Sequence, residues 1–148
     1  MFNIFDIKEK WYPEVYSGSV LVKAGKNIIA PILCGSSEDI ARTLSLAAVR
    51  CTTADYEDAM TFVNKAYNCI LTQEYLDFPD DEVAILYFEV KNHEVVDCCV
   101  KGSDNSLINS YAALIEALSP MADFEYVVAL IKIELIHRME RIHDFNKF

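Results

Sequence analysis

Two stretches of the chain alternate apolar and polar residues with a period of two, and four more repeat with the period of a helix. "SVLVKAGKNIIAPIL" (19–33) reads as a β-hairpin around Gly25-Lys26-Asn27, and "AILYFEVKNHEVVDCCV" (84–100) repeats the form around Asn92-His93. After each hairpin stands a Gly-Ser turn, Gly35-Ser36-Ser37 and then Gly102-Ser103-Asp104. Ser36 and Asp39 have the spacing of a capping box with Asp in place of Glu, and either Ser103 or Asp104 suits the second cap.

The helical stripes match each other at a constant offset. Ile40, Leu44, Ala47, Ala48 and Cys51 lie on one helix face, and Leu107, Tyr111, Leu114, Ile115 and Leu118 follow 67 residues later. Tyr56, Ala59, Met60, Val63, Tyr67 and Leu71 are echoed 68 residues on by Phe124, Val127, Val128, Ile131, Leu135 and Met139. The added residue falls at the helix junction, where "CTTA" (51–54) corresponds to "LSPMA" (118–122). The first stripe is small and its counterpart large, as two packed faces need in order to fill space.

The pattern predicts an internal duplication within a single domain, 1–148. An aromatic N-terminal segment (1–18) precedes repeat 1 (19–71), an acidic linker (72–82) and repeat 2 (83–148). The expected fold is α+β: two ββαα repeats forming a four-stranded, mainly antiparallel sheet, with the helices packed on one face. The open face of the sheet and the groove between the repeats are the places expected to carry function.

Composition supports an ordered domain. Of 148 residues 53% are hydrophobic, with only four Gly and four Pro, and a chain this long buries roughly two thirds of its unfolded surface. No apolar run approaches the length of a membrane span. The opening "MFNIFDIKEKW" carries acids and lacks the basic-then-apolar order of a signal peptide. Five cysteines, an odd number set among apolar neighbours, suit reduced and mostly buried thiols, and so a cytoplasmic protein.

Charge changes the picture through its placement. The net charge is −10, and residues 36–97 hold thirteen acids against four bases. The densest run, "QEYLDFPDDE" (73–82), has no Lys or Arg. Such a surface repels phosphate backbones and argues against nucleic-acid binding. "GSDNSLINSYAAL" (102–114) after a hairpin resembles the end of a double-stranded RNA-binding domain. That family grips phosphate with Lys at the helix start, where this chain has Asp104, Asn105 and Ser106, so the resemblance implies no RNA binding here.

Candidate chemistry is sparse. "HEVVD" (93–97) lacks the second His of a metalloprotease motif. Cys98 and Cys99 are adjacent in a strand and point to opposite faces, a poor start for chelation. Glu134 and His137 have the spacing of di-iron bundles, but the duplicated position of Glu134 is Ala66, so an exposed pair on a charged helix end is the expectation. His137, Arg138 and Arg141 would complement the dipole at the end of the last helix. No P-loop, nucleophile elbow or zinc-type Cys pair occurs. Neither cofactor, metal nor catalytic residue is called for.

Phe2, Phe5, Trp11, Tyr12 and Tyr16 crowd the N-terminal segment, with Pro13 interrupting any long helix. Such a segment covers the domain's own open face or docks on another chain, and Trp and Tyr are enriched at interface hot spots. The functional expectation is therefore a non-catalytic acidic interaction protein, of inhibitor, immunity or adaptor/chaperone type, that binds a basic protein partner. Its binding residues would be Trp11, Tyr12, Glu74, Asp77, Asp80, Asp81 and Glu82. A homodimer is compatible with the same surfaces. The alternative is a small-molecule or nucleotide binding or regulatory domain with its ligand between the repeats.

Overall fold

A computed structural model describes residues 17–25, 28–52, 55–79, 81–118 and 123–146. The elements run β1 (Gly18–Gly25), β2 (Ile28–Cys34), α1 (Ser37–Cys51), α2 (Tyr56–Thr72), β3 (Ala84–Lys91), β4 (Glu94–Lys101), α3 (Asp104–Ala117) and α4 (Phe124–Asn146). This is the α+β fold with two ββαα repeats that the periodicity predicts.

The two sheet-to-helix turns are built alike. Gly35 and Gly102 stand at φ 125° and 134°, a region that L side chains rarely adopt. The next residue caps the helix in each case. Ser36 accepts from the Asp39 amide at 3.1 Å and Ser103 from the Ser106 amide at 3.4 Å, so Ser103 and not Asp104 is the second cap. Asp55 caps α2 in the same way, accepting from the Glu57 amide at 2.9 Å. Left-handed conformations at Asn92 and His93 turn β3 back into β4. The stretch 102–114 thus restarts the chain from sheet to helix.

All strand pairs are antiparallel, in the order β2-β1-β3-β4. The two hairpins therefore meet through their first strands, and Leu21 pairs with Tyr87, its own counterpart 66 residues on. In the helix layer Tyr111 lies 67 residues after Leu44, and its hydroxyl donates to the Leu44 carbonyl at 2.7 Å. Both contacts sit on a pseudo-twofold axis that relates the repeats. The offset grows from 66 to 67 within the second hairpin, where Glu89 pairs with Asp97 but Val90 pairs with Val95. The unpaired Val96 is a β-bulge, one residue added to β4.

The helices cross between repeats: α1 packs against α4 and α2 against α3, while α1 and α3 lie on the sheet. Ile40, Leu44, Tyr111, Leu114, Leu118, Ile131 and Leu135 are buried between them. Phe62 meets the Tyr111 ring edge-on at 5.1 Å between centroids. No described helix packs on the other face of the sheet. Along the axis row it carries Ile32, Leu21, Tyr87 and Cys99, in register across all four strands.

Three expectations from the sequence are corrected. Only Cys69 among the thiols is buried; Cys51 is half-buried, and Cys34, Cys98 and Cys99 are exposed. The last two sit on the edge strand β4, where α1 and α3 leave both faces in solvent, since α3 covers β1, β2 and β3 and α1 packs on β1 and β3. Glu134 is not exposed: it is 1% accessible and pairs with Arg138 at 3.0 Å, one helical turn on. His137 and Arg138 are not at a helix end either, because α4 continues to Asn146.

Candidate functional site

The acidic segment after α2 is docked along α3 rather than hanging free. Gln73, at φ 57°, ends α2 in a left-handed cap and sends the chain back. Leu76 is then gripped twice by Asn109: its amide donates to Oδ1 at 2.9 Å and its carbonyl accepts from Nδ2 at 2.8 Å. One turn earlier on α3, Asn105 Nδ2 donates to the Asp77 carbonyl at 2.8 Å. Tyr75 Oη donates to Glu116 at 3.1 Å. Burial first, and the Glu116 carboxylate second, push the Tyr75 hydroxyl up to about 12. Leu76 and Phe78 are half-buried as the segment's apolar anchors.

Glu82 closes the segment at its far end. Its Oε1 accepts from the Ser103 amide and, at 2.8 Å, from the Ser106 hydroxyl. These donors at a helix start hold its carboxyl below the ordinary carboxylate range, the Ser103 amide contributing most. Glu82 thus binds the chain's own α3 and does not face outward with the other acids, as the charge pattern led one to expect. Glu74, Asp77 and Asp81 do lie exposed in solvent. Asp80, Trp11 and Tyr12 fall outside the described residues.

Between this segment, α2 and α3 runs an open trough of about 620 Å³. Its walls carry the amides and hydroxyls of Asn64, Asn68, Thr61, Thr72, Tyr75 and Asn105, a cation at Lys65 and a carboxylate at Glu74, set among the apolar surface of Cys69, Leu76 and the side-chain stems. A second depression of about 300 Å³ shares Thr61 and Lys65 and continues past Asp58, Asp104 and Cys51. Burial pushes the Cys51 thiol up to about 12, with the Asp104 carboxylate adding to it, so the group stands there as a neutral thiol and not a nucleophile. Because α2 belongs to one repeat and α3 to the other, this trough is the groove between repeats that the sequence pointed to.

Among the described residues no three His, Cys, Asp or Glu side chains are grouped to hold a metal ion. No described helix is long and apolar enough to cross a membrane. Sequence reasoning missed the residues that shape the site: Asn105, Asn109 and Ser106. For Ser106 and Asn109 the one signal is polarity where burial is expected; Asn105 is exposed and carries none. Asn109 and Ser110 interrupt an otherwise apolar stretch of α3, and both are buried, Asn109 at 7% accessibility.

No family model, no curated protein and no solved structure matches the chain.

Proposed function

We propose that the protein is a non-catalytic interaction protein that presents its acidic segment to a basic protein partner. One observation carries the reading: Asn109, Asn105 and Glu82 clamp the segment to α3 while Glu74, Asp77 and Asp81 stay in solvent. A free acidic loop would lose conformational entropy on binding, whereas a clamped one has lost it in folding. Fixed carboxylates of one sign steer an oppositely charged partner and raise its association rate. A cytoplasmic setting fits surface thiols at Cys34, Cys98 and Cys99 that carry no disulfide.

The test takes a partner captured from the native host and follows its association kinetics across salt. Replacing Asp77, Asp80 and Asp81 by Asn is expected to lower the on-rate and flatten its salt dependence, with folding nearly unchanged. Equal on-rates at every salt concentration would reduce these carboxylates to a solubilising loop.

The trough favours a second reading, a small-molecule or nucleotide binding domain. Its amides and Lys65 would meet an anionic or hydrogen-bonding metabolite. A ligand there raises the unfolding temperature in proportion to its affinity, and Lys65→Met would abolish that rise. A ligand whose stabilisation ignores Lys65 would not occupy the trough.

A further inference from the structure

The sheet has two edges, β2 and β4, and the chain treats them differently. β2 carries Pro31 at mid-strand, a residue with no amide to donate, and α3 packs over it. β4 has no proline, and Asp97 to Lys101 are all exposed. Because α1 and α3 pack on the other three strands, a second sheet can come alongside β4 without meeting either helix. A sheet edge presents a row of main-chain donors and acceptors, and native proteins blunt, cover or pair it. The bulge at Val96 shortens the usable edge of β4 but leaves the run from Asp97 to Lys101 regular.

We propose that this edge pairs with the same edge of a second copy, β4 against β4, to make one continuous sheet across a homodimer. The register follows from where the strand is regular. The bulge at Val96 ends the run on one side, and Gly102, at φ 134°, ends it on the other. The residues between them are centred on Cys99. A twofold axis through that point sets Cys99 opposite its own copy, Val100 opposite the partner's Cys98, and Lys101 opposite the partner's Asp97. Both copies then carry their helices on the same face of the joint sheet.

Charge singles out this register. Within the chain Asp97 lies directly across from Glu89, so two carboxylates share one face of the sheet. Like charges so placed are destabilising. Lys91 meets Glu89 at 3.3 Å, whereas neither Asp97 nor Lys101 has an ion pair among the described residues. In the dimer each Asp97 gains the partner's Lys101 on its far side, and the twofold makes that contact twice. Sliding the strands by two residues in either direction removes both contacts. A slip of one residue sets opposite faces together.

The interface is small. The paired runs make about four to six main-chain hydrogen bonds, and Val100, 38% accessible in the single chain, loses solvent beside the partner's Cys98. That is well short of a permanent dimer. The association is therefore reversible and populated at high concentration. It goes beyond the binding of a basic partner and uses none of the acidic segment.

Sedimentation of the intact native chain across concentration reads the equilibrium. An ionic strength of about 0.15 M screens the net charge of −10 that each copy carries. Wild type is expected to pass from monomer to dimer as concentration rises. Asp97→Lys and Lys101→Asp each set like charges at both contacts, and each should weaken dimerisation about tenfold or more. Mixing the two variants in equal amounts restores opposite charges at both contacts, so the mixture should regain the dimer. Should either variant lose its circular dichroism, a second readout keeps the native charges. In a chain with Cys34→Ser and Cys98→Ser, bismaleimidoethane should join the two Cys99 thiols, and adding Cys99→Ser should abolish the product. A chain that stays monomeric up to its solubility limit overturns the proposal. So does a dimer indifferent to both charge reversals, or a mixture that regains nothing. A dimer lost through Ile32→Glu but not through Asp97→Lys would lie on the face of the sheet instead of its edge, and would equally overturn it.

Discussion

Replacing Asn109 by Leu isolates what the clamp on the acidic segment is worth. Leu keeps the branched outline of Asn, with bulkier methyl groups in place of the amide, and removes both hydrogen bonds to Leu76. Each such bond contributes about 0.5–1.5 kcal/mol net, so the pair holds the segment by about 2 kcal/mol. Leu76 is only half-buried, so its freed amide and carbonyl can find water once the segment lifts. Local opening is then less costly than global unfolding, and the loss should concentrate in the segment. About 2 kcal/mol is close to a thirtyfold change in the opening equilibrium. Hydrogen exchange at the Leu76 amide should accelerate by about that factor, while the amides of β1 and β3 change far less. The global urea midpoint should fall, the slope staying constant, by an amount smaller than the local effect because the new Leu buries added apolar surface. Unaltered exchange at Leu76 would refute the clamp. A loss spread evenly over β1, β3 and Leu76 would show that the segment and the core open as one unit, and would refute the local reasoning.

Three further outcomes follow from the geometry. Removing the Tyr111 hydroxyl by Tyr111→Phe, with its bond to the Leu44 carbonyl on the pseudo-twofold axis, should cost about 1 kcal/mol in urea unfolding; no loss would make that bond energetically idle. Cys34, Cys98 and Cys99 should react promptly with a thiol reagent in the native protein, and Cys51 and Cys69 only after denaturation. Burial raises both of the latter thiols, so five prompt equivalents would contradict the core packing. Glu82 has a folded-state pKa below its unfolded value, so its stabilisation is complete above the ordinary carboxylate range and is lost as pH falls through the lower folded value. Glu82→Gln should therefore lower stability near neutrality and flatten the acid limb of the stability profile. Identical acid limbs in wild type and variant would rule out its role as a helix-end anchor.

What the sequence revealed was periodic, and what it concealed was local. The stripes Ile40 to Cys51 and Leu107 to Leu118 announced two helices because burial imposes a 3.6-residue spacing, and both Gly-Ser turns announced their caps. The duplication was visible for the same reason. The bulge at Val96 was not, because an added residue in a strand leaves its composition unchanged and shows only in the pairing. Cys98 looked buried from its apolar neighbours, but burial on an edge strand depends on how far the helices reach, which no local pattern records. The acids of 73–82 looked alike in the sequence. The structure divides them, turning Glu82 onto the start of α3 and leaving Glu74 and Asp77 in water, through partners more than twenty residues away. Glu134 was misjudged for a related reason. Its counterpart Ala66 is buried, and the pseudo-symmetry carries the carboxylate inside with it.

The crossing of the helices has a consequence for assembly. Each repeat closes its core only with the other, because α1 needs α4, α2 needs α3, and β1 needs β3. Nothing in those contacts requires that the two halves belong to one chain. Two molecules refolding together at high concentration can trade their second halves through the 72–83 segment and remake every native contact reciprocally, as a domain-swapped dimer. The Asn109 clamp works against this exchange, since it ties the connecting segment to its own α3 as soon as that helix forms. A chain carrying Asn109→Leu should accordingly yield more swapped dimer on concentrated refolding. Fragments 1–79 and 81–148, mixed from denaturant, should recombine into the same fold.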